Sequence, residues 1–147
     1  MPLSLRKLIL LSGVGALVLL LLIQAVPYGH AHSNPPVIAE PQWDSPRTRE
    51  LAVSACFDCH SNEVNWPWYS NVAPVSWFVQ NHVEEGRSEL NFSEWNRPQK
   101  EAKEAAEKVL EGEMPPLYYH PWDRMTDAEV NELARGLQAT LGGHDRD

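Results

Sequence analysis

Between Leu8 and Val26 the chain reads LILLSGVGALVLLLLIQAV, with no charge and few polar interruptions. As an α-helix this run spans roughly 28 Å, close to the hydrocarbon thickness of a bilayer, about 30 Å. Arg6 and Lys7 precede it and no Lys or Arg follows until Arg47. That asymmetry puts the N-terminus in the cytoplasm and the rest of the chain on the outer side of a membrane. A cleaved signal peptide would have a shorter apolar region, about 7 to 15 residues, ending at small residues. Here the run is longer and PYGHAHS is a weak cleavage site, which favours an uncleaved single-pass anchor over residues 1–26.

From Pro27 to Pro41 four prolines and no apolar period predict an extended tether, so the folded domain is expected over residues 42–147. Four helices follow. The first starts at Pro46, capped by Ser45 or Asp44, and runs through DSPRTRELAVSACFDCH with Leu51, Ala52, Ala55 and Cys56 as its apolar stripe. The second, PVSWFVQNHVEEG, begins near Pro74 and has Gly86 as its stop. The third spans Pro98 to Glu111, with Ala102, Ala105, Ala106, Val109 and Leu110 inward. The fourth opens on the capping box Thr126-Asp127-Ala128-Glu129, continues through Val130, Leu133, Ala134 and Leu137, and ends at Gly142-Gly143. No stretch alternates with period two. The expected fold is all-α: about four short helices in a small cytochrome c-like domain behind a transmembrane helix.

Charge narrows the partners. The net charge is −8; without Arg6 and Lys7, ten basic residues face twenty acidic ones, so the part beyond Val26 sits near −10. Nucleic-acid binding needs Lys/Arg clusters and is excluded as a reading. A field of one sign can steer a basic protein partner.

The two cysteines of the chain stand together in Cys56-Phe57-Asp58-Cys59-His60. Three chemistries use such a C-x-x-C-H pentapeptide. In covalent haem attachment, two thiols three residues apart face one side of a helical turn, each forms a thioether with a vinyl group, and the histidine supplies an axial nitrogen to the iron. A structural zinc site needs two more ligands, for which only scattered histidines such as His82 and His120 remain. A redox dithiol needs a βαβ context, and a plain disulfide across three residues closes too small a ring to gain much loop entropy. Haem attachment is the favoured reading.

The stretch CFDCHSNEVNWPWYSNVAPVSWFVQNHVEEGRSELNFSEW, Cys56 to Trp95, resembles a small bacterial haem-binding domain family marked by C-x-D-C-H-S-N, W-P-W-Y, A-P-V-S-W, and E-G-R followed by L-N-F-S. Gly112 to Pro116, GEMPP, is similar to its second motif, and the resemblance covers about 60 of 147 residues. It implies one covalent haem c on a helical, membrane-tethered domain, with no substrate assigned.

For the sixth iron ligand, Met114 in EGEMPP is the leading candidate, because Pro115 and Pro116 end the preceding helix and present the thioether from a stiff turn. A methionine at such a place can equally be a gap-filler in the core. His82 is the alternative; His120 and Met125 are weaker, and His30, His32 and His144 lie in tether or tail. Trp66, Trp68, Tyr69, Trp77 and Phe78 are expected either to wall the macrocycle or to form ordinary core. Arg87 is a candidate partner for a haem propionate. The resulting expectation is a mono-haem c-type cytochrome, anchored in the bacterial inner membrane and facing the periplasm, passing single electrons between redox partner proteins of a respiratory chain. No catalytic acid/base pair or nucleophile constellation marks it as an enzyme. The alternative is a haem enzyme or redox/gas sensor with an open sixth position.

Overall fold

The computed structural model describes residues 4–116 and 125–143. Among them regular structure is helical: α1 (Leu5–Ile23), α2 (Pro46–Ala55), α3 (Phe57–His60), α4 (Val75–Glu89), α5 (Ala105–Leu110) and α6 (Asp127–Leu141), with a 3-10 turn over Trp68–Asn71. Among the described residues the β-type contact is an isolated parallel bridge between Ala39 and Glu94. The all-α expectation holds.

The chain divides into two compact units. One comprises residues 1–32 and 66–81, the other residues 33–65 and 82–147, so α4 gives its beginning to the first and its end to the second. In the first unit, α1 is long and apolar enough to cross a membrane and buries none of its own residues. The end of α1 is tied to the stretch before α4: the Gln24 carboxamide donates to Ala73 O at 3.0 Å and accepts from Ala73 N at 2.9 Å. His32 Nε2 donates to Ser70 O at 2.9 Å, and its ring stacks on Trp66.

The second unit holds a core of α2, α5 and α6. Ser45 caps α2 by accepting from Thr48 N at 3.1 Å, with Pro46 in the first turn where its missing N–H costs nothing. The buried stripe of α2 is Leu51, Ala52 and Ala55; α6 answers with Leu133, Ala134, Leu137 and Leu141, and α5 with Ala105, Ala106 and Val109. An aromatic cluster closes the core, with Phe92 stacked on Phe57 at 5.5 Å and on Trp95 at 6.3 Å and tilted against Trp43 at 5.2 Å. The capping box of α6 forms as the sequence predicts: Thr126 Oγ1 accepts from Glu129 N, and Thr126 N donates to Glu129 Oε2. Met125 and Val130, which bracket that cap, both pack against the core.

Four expectations change. The first predicted helix breaks at Cys56, whose ψ stays helical while φ swings to −123°, and restarts as the single turn α3. Gly86 does not stop the second helix, which continues to Glu89. The third helix starts at Ala105 rather than Pro98, because the Gln99 side chain donates to Glu94 O and Arg97 O and accepts from Asn91 N. A buried amide that bonds locally to the main chain competes with helix formation. Finally, the proline-rich tether is extended, but from Ser33 onward it is bonded down: Ile38 N and Ala39 N donate to Ser93 O, Trp95 N to Ala39 O, and Asn62 Nδ2 to Pro36 O.

Candidate functional site

Within the second unit a cavity of about 290 Å³ is lined by Cys56, Cys59 and His60 on one side and by Met114, Pro115 and Val109 among others. That volume is at the lower end of the range usual for small-molecule sites, about 300 to 1,000 Å³. Cys56 closes α2 and Cys59 and His60 ride on α3, whose turn is held by Cys59 N and His60 N donating to Cys56 O at 3.1 and 2.9 Å. Both cysteines are free and half-buried. Burial, then the neighbouring Cys59 sulfur, pushes the Cys56 thiol up to about 12; burial and Asp58 push Cys59 up to about 11. Among the described residues no group of three or more His, Cys, Asp or Glu side chains is placed to hold a metal ion.

His60 carries the geometry that decides the tautomer. Its Nδ1 lies 3.0 Å from Gly86 O and 3.0 Å from Leu90 O. Both are acceptors, so Nδ1 holds the proton and donates, and Nε2 is left with its lone pair. Burial lowers the pKa of the ring while these two bonds act the other way. The result is a neutral imidazole, oriented from behind, in the wall of a cavity: the arrangement in which a ring nitrogen ligates a metal.

Gly86 is what permits this approach. A Cβ there would sit 2.5 Å from Cys59 O and 3.0 Å from Cys59 C, so only glycine lets α4 lie against the C-x-x-C-H turn. The loop after His60 is fixed by a buried polar network. Phe92 N donates to His60 O at 2.8 Å, Asn62 N to Ser93 Oγ at 2.9 Å, Asn91 Nδ2 to Asn62 Oδ1 at 3.0 Å, and Ser93 N to Asn91 Oδ1 at 2.9 Å. The S-N after the pentapeptide and the later N-F-S are thus one structure. Their polar, loop-forming composition was visible in the sequence, but their pairing was not.

Met114 reaches the cavity through the end of α5. Gly112 N donates to Val109 O and Glu113 N to Lys108 O, with Gly112 at φ +74°, a Schellman turn that leads directly to Met114. Met114 is half-buried against the core and lines the cavity. His82 lines it too, four residues before Gly86 on α4. Residues 18–139 match the model of the haem-binding domain family. The chain belongs to that family. No match was found among curated proteins or solved structures.

The described residues fit a haem. The Nε2 lone pair of His60, a thioether on the cavity wall and two free thiols are the groups that would engage a haem. Trp66, Trp68, Tyr69 and Trp77 belong to the first unit, and Trp68 is 79% exposed. The cavity lining, drawn from the second unit, includes none of them. Arg87 is not in the lining either: Nε donates to Ser61 O at 2.8 Å, Nη1 to Ser33 O at 3.0 Å and Nη2 to Asn34 Oδ1 at 3.2 Å. It braces the loop after His60. The cation of the described lining is Lys108, within 3.8 Å of Glu101 and 3.7 Å of Glu113. His120 and His144 lie outside the described residues.

Proposed function

We propose that this haem-binding protein is a mono-haem c-type cytochrome that passes single electrons, anchored through α1 with its domain in the periplasm of a bacterium. The observation that carries the reading is the doubly bonded Nδ1 of His60 in a cavity wall it shares with both thiols. A bound haem would supply a one-electron iron couple. The chain's part would be to hold and tune it: Cys56 and Cys59 would tether the macrocycle through thioethers, and His60 would give its Nε2 to the iron. The carbonyls of Gly86 and Leu90 raise the basicity of that imidazole through Nδ1–H.

Connectivity supports Met114 as the second axial ligand over His82. Of the two carbonyls behind His60 Nδ1, that of Gly86 is on α4 and that of Leu90 directly follows it; His82 is one helical turn from Gly86 on α4, whereas Met114 comes from the turn after α5. A residue that held the group together with His60 would stand on the Nε2 side of the ring, away from the carbonyls bonded to Nδ1. Thioether ligation raises the potential relative to bis-histidine, and the acidic field suits docking of a basic redox partner. An anchor fits an apolar helix none of whose residues is buried.

The test is the mass of the denatured full chain, expressed with haem-maturation machinery and stripped by acid and organic solvent. Chain plus one haem is expected. A bare chain mass from protein that was coloured before stripping leaves haem binding standing and removes covalent attachment.

A further inference from the structure

We propose that the uncharged stretch from Trp66 to Val79 is an interfacial membrane contact, with its exposed rings seated among the headgroups of the bilayer that α1 crosses. The inference rests on the reading of α1 as a membrane span. Gln24 is the C-terminal cap of α1, and its carboxamide is paired with both the N–H and the C=O of Ala73. His32, eight residues past that cap, is bonded to Ser70 and stacked on Trp66. The stretch is therefore held at the level where the apolar helix ends, which for a spanning helix is the hydrocarbon–water boundary.

Its surface has the chemistry of that boundary. Trp68 is 79% exposed, Phe78 50% and Tyr69 45%, and Val72 and Val75 are exposed beside them. Trp68 and Tyr69 meet edge to face at 5.9 Å. Large exposed apolar groups gathered in one short segment mark a binding surface, and Trp and Tyr are the side chains enriched at membrane–water interfaces, with an apolar body and a polar tip. From Val64 to Asn81 no side chain carries a formal charge, in a chain whose part beyond Val26 sits near −10. Anionic lipids repel acidic surface elsewhere on the chain; this stretch gives them nothing to repel.

The test uses the full chain, haem-loaded, in vesicles of phosphatidylethanolamine and phosphatidylglycerol. Photoreactive benzoylphenylalanine replaces Leu19 in α1, Trp68 or Tyr69; an unchanged haem spectrum and helix content show that each variant folds. Lipid adducts at positions 19, 68 and 69 are the expected result. Adducts at 19 but not at 68 or 69, or cross-links from 68 and 69 to protein rather than lipid, overturn the interfacial contact and leave the anchor intact. No lipid adduct at 19 removes the anchor reading, and this inference with it.

Discussion

Replacing Gly86 with alanine tests the contact on which the site is built. The added methyl would lie 2.5 Å from Cys59 O, where ordinary contact begins at 3.4 Å, so α4 has to retreat by about 0.9 Å from the C-x-x-C-H turn. Overpacking of that kind costs about 1 to 3 kcal/mol. The two bonds from His60 Nδ1, each 3.0 Å, open beyond hydrogen-bonding range with such a shift, and each contributes about 0.5 to 1.5 kcal/mol. The expected loss is about 2 to 6 kcal/mol. Were Gly86 an ordinary helical glycine, alanine would instead stabilise by about 1 kcal/mol. The sign therefore separates the two explanations. Guanidinium unfolding of the full chain in detergent, followed by far-ultraviolet circular dichroism, reads it. A stability equal to or above that of the parent refutes the close-approach argument. With haem bound, the same substitution raises the midpoint potential, because an imidazole that has lost its N–H acceptors supports ferric iron less well.

Three further outcomes follow from the structure. Met114→Ala converts the low-spin spectrum of the haem-loaded protein to high-spin and lowers its potential, while His82→Ala leaves both unchanged; the reverse pattern assigns the sixth position to His82. Thr126→Ala removes one half of the α6 capping box and costs about 1 kcal/mol in the same unfolding assay. Glu40 is held below the usual carboxylate range chiefly by Arg49, which meets it at 2.7 Å through two nitrogens, with Trp43 Nε1 as a further donor. A carboxyl whose pKa falls on folding adds stability above its unfolded value that is lost as the pH drops through the folded one. Glu40→Gln is thus less stable than the parent at pH 7, and the two curves converge below about pH 4.

Local signals were legible in the sequence and long-range ones were not. The cap of α6, the start of α2 at Ser45-Pro46 and the apolar run of α1 each depend on residues within one or two turns, and each formed where the pattern placed it. Cys56, Cys59, His60 and Met114 do meet in one cavity. Gly86 looked like a helix stop because glycine commonly is one; its purpose lies in Cys59, 27 positions earlier, and no periodicity reports that. The third helix was overextended because alanine and glutamate favour helix from Gln99 onward, while the buried Gln99 amide holds the main chain elsewhere. Arg87 was singled out as a guanidinium able to hold an anion, and the structure bonds it to Ser61 O, Ser33 O and Asn34 Oδ1, all more than 25 positions away. Type tells what a side chain is able to bind, not which element stands next to it.

The partners behind His60 are main-chain carbonyls rather than a carboxylate. An aspartate in that position would take up a proton in acid and could be exchanged by a single codon change, and either event would retune the metal. Peptide oxygens do neither. The electronic setting of this imidazole is consequently insulated both from the acidity of its compartment and from most point mutations, and position 86 is where heredity can reach it.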